Sequence, residues 1–159
     1  DERKEFMYFT VPVYRDPVLV VYSKDKFDKF EWSHWSDFKP YRIQITRGYA
    51  YNDAWWNAVA KYELSIEESI TDMQSIKMII KGRVDLTLLF YVNGTEMMKE
   101  IPGYKKLRFA KKPIHETIFH FGISKKSFLA TKLVEINSVL EGMKSDGSFK
   151  RILKDIYIE

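Results

Sequence analysis

The chain has no cysteine. That excludes a disulfide scaffold, a thiolate metal site and a cysteine nucleophile, but it does not fix a compartment, because exported proteins can also lack cysteine. No apolar run approaches the roughly 18 residues of a membrane-spanning helix. His34, His115 and His120 are the only three histidines. They are not spaced with acidic residues as metal ligands, so neither a metal nor a cofactor is expected.

A strong charge of one sign is also missing. The 26 basic and 22 acidic side chains leave a net charge of +4. They are interspersed, except for Lys105, Lys106, Arg108, Lys111 and Lys112, with Tyr104 and Phe109 among them. Such a run could meet phosphate, but a solvated strand edge, where lysine discourages edge-to-edge pairing, is the plainer reading. Nucleic acid is therefore not expected as a partner.

What remains is the composition of a globular protein. The 159 residues, 45% apolar and 30% charged, suit one domain or two small lobes, with about 70% of the unfolded surface buried. Aromatic residues make up 16%, which suits a ligand cleft or interface as well as a dense core. The chain opens without an initiator methionine, running from Asp1-Glu2-Arg3-Lys4 into the strand-like Phe6-Met7-Tyr8-Phe9. The expectation is that a leading segment has been removed.

Strand and helix patterns alternate. Val18–Tyr22 is a β-branched apolar run, the mark of a strand buried on both faces. Trp32 to Phe38 reads as about one helical turn and Tyr41–Thr46 as an alternating strand. Trp55, Ala58, Val59 and Tyr62 share one face of a helix from Asp53 to Tyr62. Leu64 to Ile70 alternates as a short strand. Thr71, with Gln74 three residues on, caps a helix that runs to Lys81, buries Met73, Ile76 and Ile80 and stops at Gly82. Val84–Phe90 is the next strand. A helix from Asn93, as its cap, to Lys99 follows. Leu107–Ala110 and Ile118–Ile123 read as separate strands. Leu129, Leu133, Ile136 and Leu140 mark one long helix, and 149–156 a last one. Strands alternating with helices predict an α/β fold with a largely parallel sheet.

Such sheets bind ligands beyond the carboxyl ends of their strands, where helix N-termini point. Arg47-Gly48-Tyr49-Ala50-Tyr51-Asn52 occupies that place, between a strand and a helix. Its amides and the helix dipole favour an anion, although an ordinary strand-to-helix turn also accounts for the glycine. Glu67 and Glu68 fall on opposite faces of a strand and cannot act as an acid–base pair. Asn93-Gly94-Thr95 matches a glycosylation sequon but begins a predicted helix.

Several strings carry a family likeness in their order and spacing. They are Asp1–Lys4 followed by Phe9-Thr10-Val11-Pro12; Trp35–Lys39 leading into Arg42–Ile45; Arg47–Tyr51; Gly82-Arg83-Val84-Asp85; Phe121–Lys126; and Met143–Leu153. Together they resemble the bacterial extracellular solute-binding proteins of the amino-acid-transport type (family 3). The resemblance implies a periplasmic-binding-protein-like (type II) α/β fold with one complete lobe. Residues 1–15 would be a remnant of lobe 1 with the first hinge strand, 16–117 lobe 2, and 118–159 the second hinge strand with the C-terminal helices of lobe 1. The opening half of lobe 1 would be missing.

The resemblance also assigns roles. Arg3 matches the position that grips a ligand carboxylate. Arg47, Gly48, Tyr49, Ala50, Tyr51 and Asn52 match the anion-binding turn. Pro12, Val13, His120 and Phe121 match the hinge. Tyr14, Tyr49 and Tyr51 would line the cleft or pack beside it. Phe90 stands where amino-acid-binding members place an acidic residue for the ligand's ammonium, so a carboxylic acid, or an aromatic or cationic body held by rings, competes with an α-amino acid as ligand. The implied protein is no enzyme. It is a periplasmic or extracellular component of an ABC transporter, delivering a small molecule to a membrane permease after hinge closure, with association of two copies through exposed lobe-1 surface also expected. A sensory domain, or a dehydratase-like enzyme on the same scaffold, are the alternatives.

Overall fold

The computed structural model describes residues 2–153. In chain order its elements are strands β1 (Met7–Phe9), β2 (Tyr14–Ser23) and β3 (Arg42–Thr46), helix α1 (Asp53–Tyr62), strand β4 (Ser65–Ser69), helix α2 (Asp72–Ile80), strand β5 (Leu86–Phe90), helix α3 (Tyr91–Lys99), strands β6 (Leu107–Phe119) and β7 (Gly122–Ser124), and helices α4 (Leu133–Ser145) and α5 (Ser148–Leu153). They divide into two units. Unit 1 holds the described residues up to Asp16 and from Thr117 on; unit 2 is Pro17–Glu116.

Unit 2 is built on a five-stranded sheet of order β4-β3-β5-β2-β6. Alternation along β2 sends Val18, Val20 and Tyr22 to one face and Val21 to the other. The first face is covered by an aromatic layer, Phe30, Trp32, Phe38 and Trp55 from α1, the last wholly buried. The second face is covered by Ile76 and Ile79 of α2 and Met98 of α3. Each such apolar side chain contributes about 1.5–3 kcal/mol on burial. The sheet is α/β as expected and mixed in direction: β3 runs parallel to β4 and β5, and β2 antiparallel to β5.

Asp85, just before β5, pins the amino end of β3. Its carboxylate, 6% exposed, accepts from the Arg42 amide at 2.8 Å, from the Arg42 guanidinium at 3.3 Å and from Lys26. Burial opposes its charge, but these donors outweigh burial and hold the carboxyl below its ordinary range.

Several sequence expectations are corrected. Helix α3 begins at Tyr91, with Phe90 and not Asn93 as its N-cap, because the chain turns immediately after the ladder pair Val18–Phe90. Helix α2 buries Asp72, Ser75, Ile76 and Ile79, while Met73 and Ile80 lie at the margin, a rotation that brings Asp72 inward. Leu107–Ala110 and the segment after it form one strand, β6, which tolerates Pro113 because an edge strand loses no inner ladder bond there. The expected strand 118–123 is therefore split between the end of β6 and β7. Leu129 is 49% exposed in a separate 3-10 turn, Phe128–Lys132, ahead of α4. The predicted end of the last helix, 154–156, lies outside the described residues.

Unit 1 contains the antiparallel pair β1–β7, with Tyr8 opposite Ile123, and a small core of Val13, Leu140 and Phe149. The Thr10 amide donates to Phe121 O at 3.0 Å and the Val13 amide to Phe119 O at 2.7 Å. His120 Nδ1 lies 2.7 Å from Thr10 O. Pro12 and Phe121 are exposed, whereas Val13 is buried.

Candidate functional site

Strand β3 ends at Thr46, and six residues carry the chain to α1. Gly48 sits at φ +81°, a left-handed conformation that suits glycine, and a Cβ there would meet nothing within 4 Å. The turn is shaped by its backbone requirement rather than by crowding. Asn52 caps α1, its side chain accepting from the Trp55 amide at 3.0 Å. Tyr51 is buried beneath the turn, and its hydroxyl accepts from the Thr46 amide at 3.1 Å. Burial raises its pKa.

A second anchor comes from α2. Asp72, 3% exposed, accepts from Thr46 Oγ1 through one oxygen and from the Tyr49 hydroxyl at 2.9 Å through the other. Burial first, and the Asp72 carboxylate second, push Tyr49 up to about 12. Tyr49 therefore stays protonated and donates. Sequence reasoning missed Asp72. Its only signal is an acid just after the Thr71 cap, and the partner Thr46 is brought to it by the β3–β4 pairing.

Arg47 is exposed and ion-paired, its Nε 2.7 Å from Glu68 Oε2 on β4. The amides of Gly48 and Ala50 have no protein acceptor among the described residues, and both residues are exposed. They present donors beside the start of α1, where the Trp55 and Trp56 amides are taken by Asn52 and those of Asp53 and Ala54 have no protein acceptor among the described residues.

Around this turn the structure gathers aromatic rings. Phe90, at the carboxyl end of β5, lies 5.8 Å from the Tyr49 ring, and Tyr51 lies 6.4 Å from both the Tyr49 ring and the His115 ring. Burial holds His115 below its ordinary pKa, and both of its ring nitrogens are buried without a partner. Of the sequence candidates, Arg47 to Asn52 and Phe90 are thus brought together in unit 2. Arg3 and Tyr14 belong to unit 1. There Arg3 lies 5.5 Å from the Phe9 ring centre, and Tyr14 stacks on Phe119 at 4.7 Å. Burial, then the charge of Asp16, raises the Tyr14 hydroxyl. No group of metal-ligating side chains occurs among the described residues.

No family model matches the chain, and no curated protein matches it. Solved structures do. An ancestral arginine-binding protein bound to glutamine superposes over 100% of this chain and 67% of its own, with TM-score 0.71 and 18% identity. The arginine-, lysine-, histidine-binding protein ArtJ from Geobacillus stearothermophilus covers 99% of this chain and 65% of its own, with TM-score 0.64 and 18% identity. A histidine kinase sensor domain with similarity to periplasmic binding proteins covers 96% and 63%, with TM-score 0.67 and 14% identity.

The fold is that of the periplasmic binding proteins. The chain spans about two thirds of the length of these solved binding proteins. As in any α/β sheet with parallel strands, the periplasmic-binding-protein fold places the β3–α1 turn and the end of β5 at neighbouring carboxyl ends.

Proposed function

We propose that the chain is the ligand-binding part of a solute-binding protein and holds a small polar or anionic molecule without transforming it. The reading rests on the turn at Arg47–Asn52, whose Gly48 and Ala50 amides lack protein acceptors beside the N-terminus of α1. An acidic group of the ligand would be held there, with rings of Tyr49 and Phe90 against its body. Charged hydrogen bonds of this kind contribute about 1.5–3 kcal/mol each. The binding-protein fold supports delivery to an ABC permease from a periplasmic or extracellular position. The paired segments at Thr10–Val13 and Phe119–Phe121 are proposed as the hinge, and residues 16–117 as lobe 2.

No chemical step belongs to this reading. Of the carboxylates beside the turn, Asp72 is committed to Thr46 and Tyr49, and Glu68 to Arg47. Calorimetric titration with amino acids, dicarboxylates and aromatic acids tests the proposal. A saturable carboxylate ligand that Gly48→Val weakens at least tenfold supports it; binding unaffected by Gly48→Val removes the turn from the site. Phe90→Asp supplies an acceptor for an ammonium and should favour an α-amino acid over the matching deaminated acid.

A sensory role is the second reading, favoured by the likeness to a histidine kinase sensor domain. Ligand binding is common to both. Loss of solute uptake in cells lacking the gene distinguishes transport from signalling.

A further inference from the structure

The run of five basic residues between 105 and 112 does not act as a unit. Lys106 pairs with Asp25 at 2.5 Å. Lys112 lies 3.8 Å over the Trp32 ring and donates to Ser33 O at 2.9 Å. Lys105 and Arg108 instead join Lys24 and Lys99 around a cavity of about 510 Å3 at α3 and the start of β6.

The cavity has a distinct chemistry. Its apolar wall includes Met98 and Leu107, both buried, with Tyr91 and Phe109 packed edge to face at 5.1 Å. Met98, Leu107 and Phe109 belong with the core of α2 and α3, on the sheet face opposite the cluster of Tyr49, Tyr51 and Phe90. No carboxylate lines it. The nearby Glu96 is engaged by Lys99 at 2.7 Å. Lys24, Lys105 and Arg108 form no ion pair among the described residues. Two backbone carbonyls, of Lys105 at 2.8 Å and Leu107 at 2.6 Å, hold Arg108 Nη1 and so position the guanidinium.

One group points to a ligand independently of charge. Thr95 lines the cavity, and its Oγ1 is buried and has no hydrogen-bond partner. A helical threonine ordinarily returns its hydroxyl to the carbonyl one turn back. Leaving it unmet in a buried position costs stability unless something in the cavity meets it.

We propose that this cavity is a second binding site, for a small amphipathic anion: a ring or short alkyl body carrying a carboxylate or phosphate head. The apolar wall takes the body, the ring faces and Thr95 hydroxyl orient it, and Lys24, Lys105 and Arg108 take the head. The inference is independent of the function proposed for the Arg47–Asn52 turn.

Phenyl phosphate is a suitable probe, titrated into the isotopically labelled chain with amide shifts recorded by NMR. Inorganic phosphate and phenol form parallel arms. Phenyl phosphate should saturate, shift the amides of Tyr91, Thr95, Lys105 and Arg108, and bind at least about tenfold more tightly than either half alone. The exposed double variant Lys105→Ser/Arg108→Ser should weaken it by about tenfold or more while leaving the Gly48–Asn52 amides in place. Three results overturn the proposal: shifts confined to Gly48–Asn52, phosphate alone binding as tightly as phenyl phosphate, or an affinity unchanged in the double variant.

Discussion

Asp72 ties three separated pieces of unit 2 together, the end of β3, the turn after it and the start of α2. Replacing it with alanine leaves two donors unmet, whereas Tyr49→Phe removes one hydrogen bond and little else. Tyr49→Phe should therefore cost about 0.5–1.5 kcal/mol and Asp72→Ala clearly more, read by urea denaturation. Gly48→Ala is strained by conformation alone, since space is open, and should cost about 1–2 kcal/mol. Titration adds two expectations. Asp85 has a folded pKa below its unfolded value, so its contribution is present above about pH 4 and is lost as pH falls through the folded value. Asp85→Asn should lower stability at pH 7 by about 1–3 kcal/mol and flatten the acid side of the stability profile. His115 is also depressed, so the unfolded chain binds its proton first and stability declines as pH falls below about 6.5. His115→Phe should remove that decline, followed by denaturation at pH 7 and pH 5.

Caps and edges decide the elements. Asn52 and Thr71 each accept from an amide of the first turn they precede. Asn52→Ala and Thr71→Ala should each cost about 1 kcal/mol, measured by thermal or urea unfolding. The Thr71–Gln74 signal, the Gly82 stop and the face of α1 carrying Trp55 were legible because each depends on residues within a turn or two. The start of α3 was not. Asn93 is a good cap by composition, but Phe90 is already committed to the ladder with Val18, and the helix begins at once. Likewise Lys111-Lys112-Pro113 resembles a break, and only its place on an edge strand keeps β6 continuous.

Across the whole molecule, both apolar clusters of unit 2 are drawn from within Pro17–Glu116, and unit 1 has a separate small one. A segment of residues 14–119, which keeps β2 and β6 whole, should therefore fold alone and unfold cooperatively, giving a dispersed amide spectrum. Failure of that segment to fold would mean that the core of unit 2 is insufficient without unit 1.

Periodicity, caps and the glycine before α1 determined the α/β class, the main elements and the place of the Arg47–Asn52 turn, because those signals act over a few residues. Tertiary structure alone decided which groups are spoken for. Glu68 reaches Arg47 and Asp72 reaches Thr46 only once β3 and β4 lie side by side. The division of one basic run among Asp25, Trp32 and a cavity was settled in the same way, since charge in a sequence has sign but no direction until packing fixes its neighbours.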